Sequence, residues 1–140
     1  FAISLAEHDS VQLLDDDSLE VSVNETYYER ECDALFDFDG QKNTERLVAR
    51  NPKLKNLLED GEYIPPLGQL NLMAHYKDSI NDALEYIGAE PLASSAWYWS
   101  STESSQIYAW YVYFSNGSTY YSYKYNSNRV RAVAAFSFKL

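Results

Sequence analysis

One cysteine, two histidines, five glycines and few basic residues set the first limits on this 140-residue chain. A single thiol, Cys32, cannot build an internal disulfide framework, although a disulfide-free exported protein fits that count equally well. His8 and His75 stand far apart, and His75 has no second ligand at metal spacing, so it reads as a core or surface histidine. No GxSxG or Cys-His signature is present, and no glycine-rich loop opens a helix to hold phosphate. Lys and Arg number 11 against 21 Asp and Glu, a net charge of -10, which argues against any nucleic-acid partner. No apolar run is long enough for membrane insertion by this segment. The chain begins at Phe1 rather than Met, as a processed chain or a fragment does.

What is abundant is aromatic. Residues 97–128 read WYWSSTESSQIYAWYVYFSNGSTYYSYKYNSN and hold eight of the thirteen tyrosines, with only Glu103 and Lys124 charged. A solvated surface is rich in Lys and Glu, and a core is not rich in Tyr and Ser. Large amphipathic rings spaced by small hydrogen-bonding residues suit a recognition surface.

Ahead of that stretch, Phe1, Ile3 and Leu5 alternate with small residues, and Val11, Leu13, Leu19, Val21 and Val23 alternate around the acidic turn Asp15-Asp16-Asp17. Two or three short strands are expected there, with the aspartates in a solvated turn. Residues 29–60 turn charged and helical, with Asn43-Thr44 as N-cap and Leu47, Val48, Leu54, Leu57 and Leu58 as the apolar positions, broken at Asn51-Pro52. Asp37-Phe38-Asp39-Gly40 has the look of half a calcium loop, but Lys42 stands where an EF-hand needs Gly. The strongest helix follows Pro66, with Leu67, Leu70, Met73, Ala74, Ile80, Ala83, Leu84 and Ile87 at three- and four-residue spacing, a break near Tyr76–Ser79, and Gly88 closing it. Beyond Pro91 the period becomes two. Trp110, Val112 and Phe114 should pack inward while Tyr111, Tyr113 and Ser115 look outward, and Asn116-Gly117 should turn a hairpin, because both residues tolerate positive φ. Tyr121, Tyr123 and Tyr125 share one face of the return strand; Tyr120, Ser122 and Lys124 share the other. Residues 129–138 alternate Val130, Ala132, Ala134, Phe136 and Phe138, a well-covered strand suited to pairing with the first.

Three blocks then stand out together: Tyr63-Ile64-Pro65-Pro66-Leu67-Gly68-Gln69-Leu70, Trp99-Ser100-Ser101-Thr102-Glu103 and Arg129-Val130-Arg131-Ala132-Val133, preceded by Asp37-Phe38-Asp39-Gly40 and Asn43-Thr44. With them the chain resembles the variable proteins of diversity-generating retroelements, and the related DUF1566 domains. The resemblance implies an α+β, C-type lectin-like fold of the formylglycine-generating-enzyme type. Two to three helices and a short, twisted, mostly antiparallel sheet are expected, in one domain over 1–140. Residues 1–96 would be scaffold, and 97–136 a variable region, largely irregular loop, plus the final core strand. It implies no cofactor, no metal and no catalysis, since the cysteine chemistry of the formylglycine-generating enzymes has only Cys32 to draw on. It also implies a protein or glycan ligand and a place on a bacterial cell surface or phage virion.

In that family, mutagenic reverse transcription alters adenines, commonly in AAY codons for Asn. Such codons reach Tyr, Ser, Thr, Ile, Phe, Asp, His and Gly but never Trp, Lys, Glu, Gln or Met. The candidate contact residues are Ser104, Ser105, Ile107, Tyr108, Tyr111, Tyr113, Ser115, Ser118, Tyr120, Tyr121, Ser122, Tyr123, Tyr125 and Ser127, with Tyr98 weaker; all are reachable. Trp97, Trp99, Glu103, Gln106, Trp110 and Lys124 are not, and would be fixed frame. One strand cannot turn both faces outward, so Tyr120 or Tyr121 is expected to be scaffold unless tight turns relax that limit. The competing readings are a plain structural sheet held by cross-strand ring pairs, a glycan-binding module using Trp97, Trp99 and tyrosines, and a polysaccharide-cleaving enzyme using two carboxylates.

Overall fold

The computed structural model describes residues 1–15 and 27–135. The expected strand over Leu19, Val21 and Val23, Asp16 and Asp17 of the acidic turn, and Phe136 and Phe138 lie outside the described residues.

The fold is mixed helix and sheet. In chain order the elements are β1 (Ala2–Ile3), β2 (His8–Val11), α1 (Glu31–Ala34), α2 (Gly40–Arg50), a 3-10 helix (Pro52–Leu57), β3 (Glu62–Tyr63), α3 (Leu67–His75), α4 (Lys77–Tyr86), β4 (Trp97–Glu103), β5 (Tyr108–Tyr113), β6 (Ser118–Tyr123), β7 (Asn128–Val130) and β8 (Val133–Ala134). One sheet runs β2-β7-β4-β5-β6, and a small one runs β1-β8-β3. Pairing is antiparallel except between β4 and β7.

Helices cover both faces of the larger sheet at its centre. On one side Leu67, Leu70, Met73, Ala74 and Leu84 of α3 and α4 pack with Tyr98, Trp110, Val112 and Phe114. On the other, Leu47 of α2 and Leu54 of the 3-10 helix pack with Trp99, Ala109 and Val130. Central β4 therefore supplies successive residues, Tyr98 and Trp99, to opposite cores, and both are fully buried. Each indole N–H in these cores has a partner: Trp99 donates to the Val11 carbonyl at 2.8 Å and Trp110 to the Tyr28 carbonyl at 2.8 Å.

Two of the three blocks that carried the family resemblance, with Asp37-Phe38-Asp39-Gly40 and Asn43 ahead of them, meet in one buried polar knot. The Asp37 carboxylate accepts from Asn43 Nδ2 at 2.7 Å, Thr102 Oγ1 at 2.8 Å and the Asp39 N–H at 3.0 Å. Thr102 Oγ1 accepts in turn from the Leu67 N–H at 2.8 Å, and the Ser101 N–H donates to the Pro65 carbonyl at 2.9 Å. The β4–β5 register shifts between Trp99 and Glu103, and Ser100 Oγ bridges the gap by donating to the Trp110 carbonyl and accepting the Thr102 N–H. Hydroxyl residues suit this part of β4 because an interrupted ladder leaves buried backbone groups to be satisfied. Gly68 closes the knot. A Cβ there would lie 2.7 Å from the Phe38 ring, 2.8 Å from the Asp37 carbonyl and 2.9 Å from the Leu35 carbonyl. Gly68→Ala must push two backbone segments apart and is expected to destabilise the fold by about 1–3 kcal/mol, measured by urea unfolding. An unchanged midpoint would mean the knot is loose.

Several expectations are corrected. Asn43 and Thr44 do not cap α2, which begins at Gly40 after Asp39; they lie inside it and are buried because their side chains serve Asp37 and Ile64. The break between the strong helices falls at Tyr76, and Gly88 ends α4 with φ +74, both as the pattern implies. Ala83 and Ile87 are exposed, however, since only Leu84 of α4 is buried. The segment after Val130 is not one strand. Arg131 interrupts it, fully buried with its guanidinium donating to the Ser4 carbonyl at 2.6 Å and the Glu90 carbonyl at 2.7 Å. β8 then pairs with β1, so the expected meeting of the two ends of the sequence holds at Ala2–Ala134.

Candidate functional site

Residues 97–128 are mostly strand rather than irregular loop. Low apolar content does not prevent this, because β4 is packed between helices and its Ser and Thr hydroxyls are internally bonded. The hairpin turns where Asn116-Gly117 marks it, but Tyr113 pairs with Ser118 around a four-residue loop. Only Gly117 takes positive φ, at 75°; the Asn116 side chain instead accepts the Ser118 N–H at 2.9 Å. Lys77 of α4 fixes the tip by donating to the Phe114 and Ser115 carbonyls.

The β5–β6 register pairs Tyr111 with Tyr120 and Trp110 with Tyr121, which sorts the tyrosines into two clusters on opposite faces. On the first face Trp97 lies between Tyr111, stacked at 4.2 Å between ring centroids, and Tyr113, stacked at 4.7 Å; Tyr120 meets it edge-on at 5.7 Å. On the second face Tyr108 meets Tyr121 at 5.2 Å and Tyr123 at 4.6 Å, Tyr121 touches the edge of Trp110, and Tyr125 stacks on Tyr123 at 5.0 Å. The Tyr108 hydroxyl is pushed up to about 12, chiefly by its hydrogen bond with the Tyr123 side chain.

Trp110, Val112 and Phe114 are buried and Tyr111 and Tyr113 half-buried, as the alternation implies. Tyr120 and Tyr121 do not divide into one contact and one scaffold residue. They are 56% and 54% exposed, because β6 is a sheet edge that extends past the helices on both faces. Tyr123, Ile107, Ser115 and Ser127 are also exposed, and Ser105, Tyr108, Ser118, Ser122 and Tyr125 half-buried.

Two candidates leave the surface. Tyr98 is fully buried; its hydroxyl donates to Glu7 at 2.7 Å and accepts the Ala93 N–H at 2.8 Å, and burial, followed by the Glu7 bond, raises its pKa. Ser104 is buried at the start of the β4–β5 connection, its N–H donating to the Tyr108 carbonyl. The candidates also do not form one compact patch. Ser115 and Ser127 flank opposite ends of β6, a six-residue strand spanning about 20 Å. Sequence reasoning missed Trp97, taken as frame but half-buried at the centre of the first cluster; only the register against Tyr113 reveals that position.

Beneath this edge lies a buried charge cluster. Glu103 accepts from Lys124 Nζ and, at 3.1 Å, from Arg50 Nη2, with all three side chains almost wholly removed from solvent. Lys124 Nζ also donates to the Gln106 carbonyl at 2.8 Å, so the cluster joins α2 (through Arg50), β4, the β4–β5 connection and the end of β6. Burial lowers the Lys124 pKa from 10.5 to about 8, outweighing the attraction of Glu103. Below pH 8 both folded and unfolded chains hold this proton and the burial penalty is fully present. From 8 towards 10.5 the folded chain releases it first, so stability rises with pH. The raised Tyr98 acts in the opposite sense only above about pH 10, where an unfolded tyrosine ionises. Urea midpoints should therefore climb between pH 8 and 9.5, and Lys124→Met should abolish the climb; a flat wild-type profile would contradict this placement.

The edge is not a cavity. A cleft of about 590 Å³ opens elsewhere, lined by Gln41, Glu45, Val48, Lys55 and Tyr63 among others, and none of its lining residues comes from 97–128. Among the described residues no group of His, Cys, Asp and Glu could hold a metal, and no helix is long and apolar enough to cross a membrane.

No family model matches this sequence, and no curated protein does. Among solved structures, a fimbrial protein from Bacteroides ovatus shares the fold, with a TM-score of 0.66 at 21% identity over 96% of this chain. The match covers 35% of that protein's chain, so the present chain spans about a third of its length.

Proposed function

We propose that this chain is a non-catalytic, surface-displayed ligand-binding domain of C-type lectin-like fold. Its β5–β6 edge would be the contact surface, rewritten by retroelement mutagenesis on a fixed frame. The observation that carries the reading is the split within 97–128. Trp99, Trp110, Glu103 and Lys124, which Asn codons cannot reach, are buried, whereas Tyr120, Tyr121, Tyr123, Ile107, Ser115 and Ser127, which they can reach, are exposed. The departures are Tyr98 and Ser104, reachable but buried, which belong with the frame, and Gln106, unreachable but exposed, with Trp97 half-buried. Convergence of Asn43 and of the blocks holding Leu67 and Thr102 on Asp37 supports the fold assignment, and likeness to a fimbrial protein fits display on a bacterial surface. Tyrosine and tryptophan rings at such an edge give large contact area for little lost rotamer freedom.

The glycan-module reading is weaker, because its two tryptophan platforms are taken: Trp99 is fully buried and Trp97 is sandwiched between Tyr111 and Tyr113. The polysaccharide-cleaving reading fares no better at this edge, where Glu103, its one carboxylate, is buried and held by two cations. The test is genomic. DNA near the gene should hold an imperfect copy of the stretch encoding 97–136, differing at adenines and lying beside a reverse transcriptase. Differences at other bases, or no copy, would remove the diversification claim.

A further inference from the structure

The two edges of the five-stranded sheet are built differently. At one end β2 carries His8 and Asp9, its register against β7 is shifted, and Asp9 is charge-paired with Arg129. These are devices by which proteins blunt an exposed edge. At the other end β6 reads Ser-Thr-Tyr-Tyr-Ser-Tyr, with no charge, no proline and an unbroken register against β5 through all six residues. Among the described residues no strand pairs with its outer side.

The free side has a defined pattern. The Lys124 N–H donates to the Ile107 carbonyl at 2.9 Å, which fixes the phase of the antiparallel ladder. Ser118, Tyr120 and Ser122 then bond to β5, while Thr119, Tyr121 and Tyr123 direct their backbone groups outward. The Tyr123 carbonyl is taken by the Asn126 N–H at 2.9 Å, leaving three N–H groups and the carbonyls of Thr119 and Tyr121 to face the open side. Side chains of an added strand would alternate between the Trp97–Tyr113–Tyr120 cluster on one face and the Tyr121–Tyr123 pair on the other.

From this geometry we infer that the edge recognises an extended segment of a protein partner, added to the sheet as a further strand beside β6. The inference rests on the recognition reading above and explains why the tyrosines occupy both faces rather than one. A second copy of this chain is the poorer occupant. Each copy carries a charge of -10, so two copies brought edge to edge repel each other. The same negative field disfavours an acidic segment, so the partner strand is neutral or basic.

The test uses linear 12-residue peptides selected from a random displayed library against the intact chain, then synthesised with single N-methyl groups. Binding should weaken about tenfold or more when alternate peptide residues are N-methylated, and little at the residues between. Bound peptide should also slow hydrogen exchange at the amides of Thr119, Tyr121 and Tyr123 while leaving Tyr120 and Ser122 unchanged. Tyr121→Pro, which removes an outward N–H along with the ring, should weaken binding about tenfold more than Tyr121→Ala, which removes the ring alone. Peptide binding that is indifferent to N-methylation, failure to select any linear peptide, or binding found only on a glycan array would each overturn strand addition. Recognition by the tyrosine edge would survive the first and third of those results provided Tyr120→Ala abolished binding. Dimerisation by sedimentation that Tyr121→Pro abolishes would overturn the peptide occupant in favour of self-pairing.

Discussion

Glu103→Gln is expected to destabilise the fold by about 3–5 kcal/mol, among the largest effects of any single substitution in this chain. Its carboxylate is the anion that Lys124 and Arg50 share in a cluster closed to water, and the near-isosteric amide keeps shape while removing charge. Lys124 is left buried without its counter-ion and Arg50 loses this one, and that desolvation penalty, not the lost attraction alone, sets the size of the effect. Substitutions within the cluster should therefore be strongly non-additive. Adding Lys124→Met to Glu103→Gln is expected to recover part of the loss, since one uncompensated charge goes with it. Chemical denaturation of the two singles and the double measures the coupling. Additive losses would mean that water reaches the cluster.

Trp110→Ala is expected to lose about 3–5 kcal/mol for a different reason. The indole fills the core between β5 and the helices, and its N–H holds the chain at Tyr28. The cavity, with an orphaned Tyr28 carbonyl, falls on the frame side of the tyrosine clusters. Replacing exposed Tyr120 or Ser115 should shift stability by about 0.5 kcal/mol or less, by the same denaturation measurement. Equal losses at Trp110 and Tyr120 would make this edge ordinary core.

Much of the frame was legible in the sequence because it depends on periodicity. The 3.6-residue spacing from Leu67 to Leu84 reports a helical face, the Tyr76 break ends it, and alternation at Trp110, Val112 and Phe114 reports a strand face. What misled was polar residues facing inward. Asn43 and Thr44 look like a cap until Asp37 and Ile64 are seen to need them, and Ser100–Thr102 looks like loop until the β4 bulge is seen to need hydroxyls. Burial of Tyr98 was hidden for the same reason: its partner Glu7 lies 91 residues away in sequence. The site itself was legible as composition but not as shape. Alternation alone predicts one outward face per strand, and only the strand order, with β6 at an edge, exposes both Tyr120 and Tyr121.

The central claim is that a rigid frame carries an interchangeable contact edge. The most direct measurement randomises Ile107, Ser118, Tyr120, Tyr121, Ser122 and Tyr123 over the residues reachable from AAY codons, and sorts the displayed library for protease resistance. A parallel library randomises Trp99, Glu103, Trp110 and Lys124. The expected result is that most members of the first library resist proteolysis as the parent does, with little preference at any position, while the second retains only the parental residues. Comparable depletion in both libraries would contradict the account.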